Sequence, residues 1–145
     1  MISAVVDTSV VVKWFSLERE EDAARRLRDD LAGDRIRLLA PDLILYELAN
    51  ALCFHPRFQA GDVVSAVDSV VDIGIHIRSA SAGLIEAAVE TAYAGHLTIY
   101  DAVFAALAAE EGVPLITADE KLAGKIGSGC KIIRLGLYTD PDSIV

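Results

Sequence analysis

The chain has 145 residues, 53% of them apolar and 24% charged, with 22 acidic against 13 basic side chains and a formal charge of -9. That is the size of one domain, residues 1–145, and its apolar content excludes a disordered chain and makes a structural metal or disulfide unnecessary. The acidic balance excludes a protein that coats nucleic acid through charge alone, although a bound cation would invert the sign locally.

Residues 2–6 are a β-branched apolar run that ends at Asp7, the pattern of a buried central strand. The turn Asp7-Thr8-Ser9 leads to a short helix over 10–15. A charged amphipathic helix follows over 18–31, with Ala23, Ala24, Leu27 and Leu31 inward and Gly33 closing it. A second strand is expected over 35–40, then a helix from Pro41-Asp42 to about Phe54 that Pro56 ends. Gly61-Asp62 opens a helix to about Asp72, residues 73–77 lead into a strand, and Ser81 caps a helix to about Ala94. Thr98 and Asp101 have capping-box spacing ahead of the Ala-rich run 102–111, which Gly112 terminates. A strand over 114–117, a short helix over 118–126 and a last strand over 130–135 complete the chain. Alternation of this kind predicts a mostly parallel sheet with helices on both faces, and ligands outside the carboxyl ends of the strands.

Cys53 lies in an apolar helical segment and Cys130 beside a Gly-Ser-Gly turn, so both read as packing or surface residues. The first residues lack the basic stretch of a leader, and no apolar run approaches the ~18 residues of a membrane span. A reducing cytoplasm is the expected setting.

Four acids stand out. Asp7 and Asp119 fall at the carboxyl ends of strands, where each also reads as an N-cap for the next helix. Glu47 is the only charged residue between Leu43 and Phe54. At ~100° per residue, Ile44, Leu45, Leu48, Ala49 and Leu52 share one face, and Glu47 projects from the other with Leu43, Tyr46, Asn50 and Ala51. An ordinary surface would carry more charge, so that side is expected to be covered or to line a cleft, with a partner for Glu47: a basic residue or a cation shared with other acids. Asp101 shares its face with Ala105 and Ala108, and capping alone would explain it. Gathered carboxylates raise one another's pKa unless a cation intervenes, and an all-oxygen set without a His or Cys cluster suits Mg²⁺ or Mn²⁺. His55, His76 and His96 are scattered.

The segments Val5-Val-Asp7-Thr-Ser9, Tyr46-Glu-Leu-Ala-Asn-Ala-Leu52, Tyr100-Asp101-Ala-Val-Phe-Ala-Ala-Leu-Ala108 and Thr117-Ala-Asp119-Glu-Lys-Leu122 together resemble a PIN domain. More narrowly, the chain resembles a VapC-type toxin of a bacterial or archaeal toxin–antitoxin pair. The resemblance implies a three-layer α/β/α fold and a Mg²⁺- or Mn²⁺-dependent endoribonuclease, with Asp7, Glu47, Asp101 and Asp119 as its acidic quartet. It implies Ser9 and Thr117 as hydrogen-bonding supports and Asn50 as an outer residue of the site. It also implies an RNA substrate, a cognate antitoxin and a homodimer. On this reading Asp7 and Asp101 are the main metal ligands, while Glu47 and Asp119 hold water or a second ion and one of them serves as general base. The segment 53–61 and the tail 138–145 match nothing in the family pattern.

Two other classes compete. A phosphoryl-transfer enzyme also places an Asp after its first strand, but the dehalogenase pattern wants a second Asp where Ser9 stands, and a receiver domain wants an acidic pair just before Asp7 and a late lysine after a strand. A PIN-like shell used only for protein binding would not need all four acids. Lys13, Arg19, Arg25, Arg26 and Arg28 offer either phosphate contacts or a solvated face paired with neighbouring acids, and the second is the preferred reading.

Overall fold

A computed structural model of the chain describes residues 1–15, 22–125 and 129–145. Five strands form one sheet: β1 (Ser3–Val6), β2 (Arg37–Pro41), β3 (His76–Arg78), β4 (Leu115–Thr117) and β5 (Ile132–Arg134), in the order β3-β2-β1-β4-β5. Every ladder is parallel, with Ala4 opposite Leu38, Val6 opposite Ile116 and Ile116 opposite Ile133. The central strand is Ala4-Val5-Val6, fully buried, as its β-branched run predicts.

Among the described residues seven α-helices connect the strands: α1 (Thr8–Val12), α2 (Asp22–Ala32), α3 (Leu43–Cys53), α4 (Ala60–Asp72), α5 (Ala82–Gly95), α6 (Ile99–Glu111) and α7 (Glu120–Lys125). The steps from β1 to β2 to β3 run one way across the sheet, and those from β3 to β4 to β5 run the other. Right-handed crossovers therefore put the intervening helices on opposite faces, which gives the expected three layers. The direction of winding reverses between β1 and β4, and the crevice at that point is where such sheets hold ligands.

Helix α6 explains its own composition. All seven residues from Ala102 to Ala108 are buried, because α6 lies along β1, β2 and β4 while α5 packs on its other side. Alanine favours helix and lets two backbones approach closely, so a helix enclosed on several sides gains from being Ala-rich. Gly112 ends it in the left-handed conformation, at φ 66°.

Several boundaries shift from the sequence expectation. The helix expected over 10–15 starts at Thr8 and stops at Val12, after which Trp14 turns inward and its indole N–H donates to the Ala24 carbonyl at 3.0 Å. The helix expected over 18–31 is described from Asp22, with its inward residues Ala23, Ala24, Leu27 and Leu31 buried as expected; residues 18–21 lie outside the described residues. Asp34, not Gly33, takes the left-handed turn after α2, at φ 56°. Residues 73–77 lead into a strand as expected, and β3 begins at His76, because Ile73 still caps α4 through a bond to the Ser69 carbonyl and Gly74 turns the chain at φ 99°. Among the described residues no helix is long and apolar enough to cross a membrane, and both cysteines are free thiols.

Candidate metal centre

The switch point gathers the four predicted acids. Asp7 directly follows β1, level with Thr117 at the end of β4, and its N–H donates to the Ile116 carbonyl at 3.0 Å. Its Oδ2 accepts from the Ser9 hydroxyl at 2.6 Å and from the Thr117 hydroxyl at 2.8 Å. Each hydroxyl has one hydrogen, and both are committed to Asp7, so the 3.4 Å Ser9–Thr117 contact carries no further donation. Their lone pairs are used as well: Ser9 Oγ accepts from the Ala118 N–H and Thr117 Oγ1 from the Asp119 N–H, both at 3.0 Å. Ser9 and Thr117 thus fix one oxygen of Asp7 and tie β4 to the turn after β1. No described residue donates to Oδ1.

Asp119 caps α7, its Oδ1 accepting from the N–H groups of Lys121 at 2.9 Å and Leu122 at 3.1 Å. Its capping role is therefore real, and its second oxygen accepts no bond from a described residue. Asp101 differs from what its spacing suggests. Its N–H donates to Thr98 Oγ1 at 3.1 Å, but the reciprocal donation from the Thr98 N–H to its carboxylate is not made. Only half of the box forms, and the carboxylate is left beside the Thr98 hydroxyl at the edge of the crevice.

Glu47 projects from α3 towards α1, where its Oε1 accepts from Thr8 Oγ1 at 2.7 Å. The rest of that uncharged side is not covered by protein: Tyr46, Asn50 and Ala51 are exposed, and Tyr46, Glu47 and Asn50 line a cleft with Leu43 and Tyr100. Asn50 makes no side-chain bond to Glu47 and stands one turn farther along that cleft. Thr8 is the supporting residue that sequence reasoning missed. Its only signal was its place in an Asp-Thr-Ser turn.

Electrostatics tie the four together. Burial chiefly, then repulsion from Asp7 and Asp119, pushes the Asp101 carboxyl above its ordinary value, and Thr98 and Lys125 oppose the shift only in part. Burial also leads for Glu47, where the Thr8 bond opposes it and Asp7 and Asp101 add to it. Lys125, in the last turn of α7, thus acts on Asp101 from among the described residues. It is brought there by a close approach at Gly95, where a Cβ would meet the Lys125 carbonyl oxygen at 3.0 Å. Of the other basic candidates, Arg25 pairs with Asp22 at 3.7 Å and Arg28 with Asp29 at 3.5 Å, which supports a solvated face; Arg19 lies outside the described residues.

A carboxyl whose pKa is raised by folding binds its proton more tightly in the folded chain than in the unfolded one. Stability then falls as pH rises from the unfolded to the folded pKa, and the penalty is complete above both. Asp101→Asn should therefore raise the melting temperature in EDTA at pH 7 by about 1–2 °C. The gain should shrink as the pH falls and the wild-type carboxyl takes up its proton. Thermal melts check this, and a variant that melts below wild type at pH 7 contradicts it.

Among the described residues no group of three or more His, Cys, Asp and Glu side chains is drawn tightly enough to hold a metal ion as it stands. The donor chemistry nevertheless fits a hard divalent cation: the carboxylates are all oxygen donors, free oxygens remain on Asp7 and Asp101, and mutual repulsion is the force a cation would relieve.

The sequence matches the PIN domain family over residues 4–125. No curated protein matches it in sequence. Among solved structures, PAE2754 from Pyrobaculum aerophilum is 24% identical, with 92% of this chain and 90% of that one covered and a TM-score of 0.65. VapBC2 from Rickettsia felis, bound to a DNA fragment from its promoter, is 18% identical over 91% of this chain and 98% of that one, with a TM-score of 0.68. VapC20 from Mycobacterium tuberculosis, a toxin that cleaves the sarcin-ricin loop, is 17% identical over 83% and 93%, with a TM-score of 0.65. With its family pattern spanning most of the chain and its acids at the switch point of a five-stranded parallel sheet, this chain belongs to the PIN domain family.

Proposed function

We propose that this PIN domain is a divalent-metal-dependent endoribonuclease and the toxin half of a VapBC-type toxin–antitoxin pair, working in the cytoplasm as one domain over residues 1–145. The observation that carries the reading is the set of four acids at the switch point, in which Asp7 and Asp119 repel Asp101, and Asp7 and Asp101 repel Glu47. The similarity in fold to toxin–antitoxin complexes, and to a toxin that cleaves the sarcin-ricin loop, supports it.

Asp7 and Asp101 would hold the metal directly, with Glu47 and Asp119 completing the site. Mg²⁺ or Mn²⁺, when bound, supplies charge neutralisation at the phosphate and a water nucleophilic near neutral pH. The chain's own groups do the rest. Ser9 and Thr117 hold one oxygen of Asp7 and leave the other without a described donor. Thr8 occupies Oε1 of Glu47 and leaves Oε2 as the acceptor for the proton of the attacking water. An antitoxin would find apolar surface at Phe54, just after α3, and at Val64 and Val71 of α4, all exposed. A homodimer belongs to the same reading.

Purified protein should cleave RNA in Mg²⁺ or Mn²⁺ and lose that activity in EDTA, with recovery on adding the metal back. Cleavage that persists through chelation would overturn the metal-dependent mechanism. Protein inert on every RNA that still binds a small partner tightly would make the fold an interaction module.

A further inference from the structure

Both ends of the short helix α7 are tied to the metal centre. Asp119 caps its start, and its end meets Gly95, where a Cβ would lie 3.0 Å from the Lys125 carbonyl oxygen. Alanine is favoured over glycine within a helix, so the close approach is the reason for glycine at the end of α5. Gly95 opens the turn that leads through Thr98 to Asp101, so the same contact sets the end of α7 against the segment that carries that acid. A six-residue helix spans only about 9 Å, which keeps Lys125, its last residue, a short reach from the crevice where α7 begins.

Lys125 forms no ion pair with a described residue, although its charge is felt at Asp101, where it opposes the rise caused by burial and by Asp7 and Asp119. Other cations at strand ends are committed: Arg134 of β5 to Glu120 at 2.7 Å, and Arg78 of β3 to Glu110 at 2.9 Å and to Glu111. A lysine placed only to neutralise the acids would pair with one of them. One whose charge reaches Asp101 across a gap leaves room for an anion between.

We propose that Lys125 is a substrate-contacting residue, its ammonium taking a non-bridging oxygen of the RNA phosphodiester that is cleaved, with Gly95 the positioning residue that sets its reach. The inference rests on the nuclease reading above and adds a residue to it. Four acids and a formal charge of -9 oppose the approach of a phosphate, so a positive side chain at the rim of the crevice has a task that no acid can share. A lysine ammonium is a compact point charge on a flexible stem and can follow a phosphate oxygen as charge develops on it. Lys121, one turn earlier on α7, is not among the charges acting on Asp101 or Glu47.

The test titrates a fluorescein-labelled RNA oligonucleotide of random sequence, in Mg²⁺ and over a series of salt concentrations, onto the Asp119→Asn protein, in which cleavage is slowed. Lys125→Ala in that background should weaken binding about fivefold and lower the slope of log affinity against log salt by about 0.7, the share of one phosphate contact on a single strand. Lys125→Arg should restore both, and Gly95→Ala should weaken binding with the net charge intact. Arg37→Gln, an equal change of charge at the amino end of β2, should alter neither. In otherwise wild-type protein, Lys125→Ala should lower kcat/KM roughly 10- to 100-fold. Unchanged affinity and slope, no binding by the Asp119→Asn protein, or the same loss in Arg37→Gln overturns the contact. Weaker affinity at unchanged slope with a lower melting temperature overturns it too, and makes Lys125 a helix-end residue of α7 only. Equal cleavage rates in wild type and Lys125→Ala remove Lys125 and keep the nuclease. RNA binding that depends on Lys125, in a wild type that cleaves no RNA, keeps the contact and sinks the nuclease reading.

Discussion

Asp101→Asn should lower Mg²⁺-dependent RNA cleavage by roughly a thousandfold or more, about 4 kcal/mol of transition-state stabilisation, without unfolding the protein. The side chain is close to isosteric, and the helix cap survives because the bond to Thr98 comes from the Asp101 backbone N–H. What is lost is the charge and one oxygen ligand, and the structure gives that carboxylate no other task. Thr8→Val should cost less, roughly 10- to 100-fold, since it removes only the bond that orients Glu47. Its loss should appear mainly in kcat, with circular dichroism and melting unchanged. Initial rates on one RNA substrate at saturating Mg²⁺ order the series, and Asp101→Asn retaining more than a tenth of wild-type activity would remove Asp101 from the site.

The ranking of the acids changes once their bonds are known. In the sequence Glu47 was the most telling, because its helix had no other charge to explain it, and that inference led to a cleft and to a partner, Thr8. The partner lies 39 positions away and depends on how α1 packs against α3, which no local pattern encodes. Asp101 looked dispensable because capping-box spacing offered its carboxylate a use. Spacing cannot tell which of two reciprocal bonds forms, and only the backbone donation does. Ser9 and Thr117 came from family resemblance, and geometry now gives a physical reason for them: a buried carboxylate at a strand end needs donors, and both hydroxyls supply one.

The sheet was legible because β-branched runs and turn residues alternate with helical periods, and parallel topology follows from that order. Strand ends were less so. At 73–77 an apolar run continued from α4 through Ile73 towards Ile77, and apolar content cannot show where a helix cap ends and a strand begins; Gly74 settled it by turning. The uncharged side of α3 is the more useful case. Covered or cleft-lining were the two options, and exposure of Tyr46 and Asn50 beside Glu47 selects the cleft. The C-terminal tail matched no pattern, because its polar anchor, Tyr138 on Asp30, joins positions far apart in the chain.

That anchor is the most costly polar contact to lose outside the metal centre. Asp30→Ala should destabilise the fold by about 3–5 kcal/mol and lower the melting temperature by roughly 10 °C. Asp30 is 7% exposed, yet it is charged and fully engaged: Oδ2 accepts from the Tyr138 hydroxyl at 2.6 Å, and Oδ1 from Arg35 Nε at 2.7 Å and Nη2 at 2.6 Å. Tyr138 itself is wholly buried, so removing Asp30 strands a phenol in the core and releases the tail from α2. Tyr138→Phe should cost only about 1–2 kcal/mol, because Asp30 keeps Arg35. Burial, then the bond to Asp30 and its charge, raises the phenol far above its ordinary value. The folded chain therefore holds that proton after the unfolded chain has released it, and stability falls as pH climbs past about 10, the ordinary tyrosine value. Tyr138→Phe should flatten that alkaline slope. Urea unfolding at pH 7 and pH 10.5 reads both effects. An Asp30→Ala protein that unfolds within half a kcal/mol of wild type, or an alkaline slope equal in the two tyrosine forms, would show that the tail is held by its apolar contacts alone, with Leu135 and Ile144 as the buried anchors that remain.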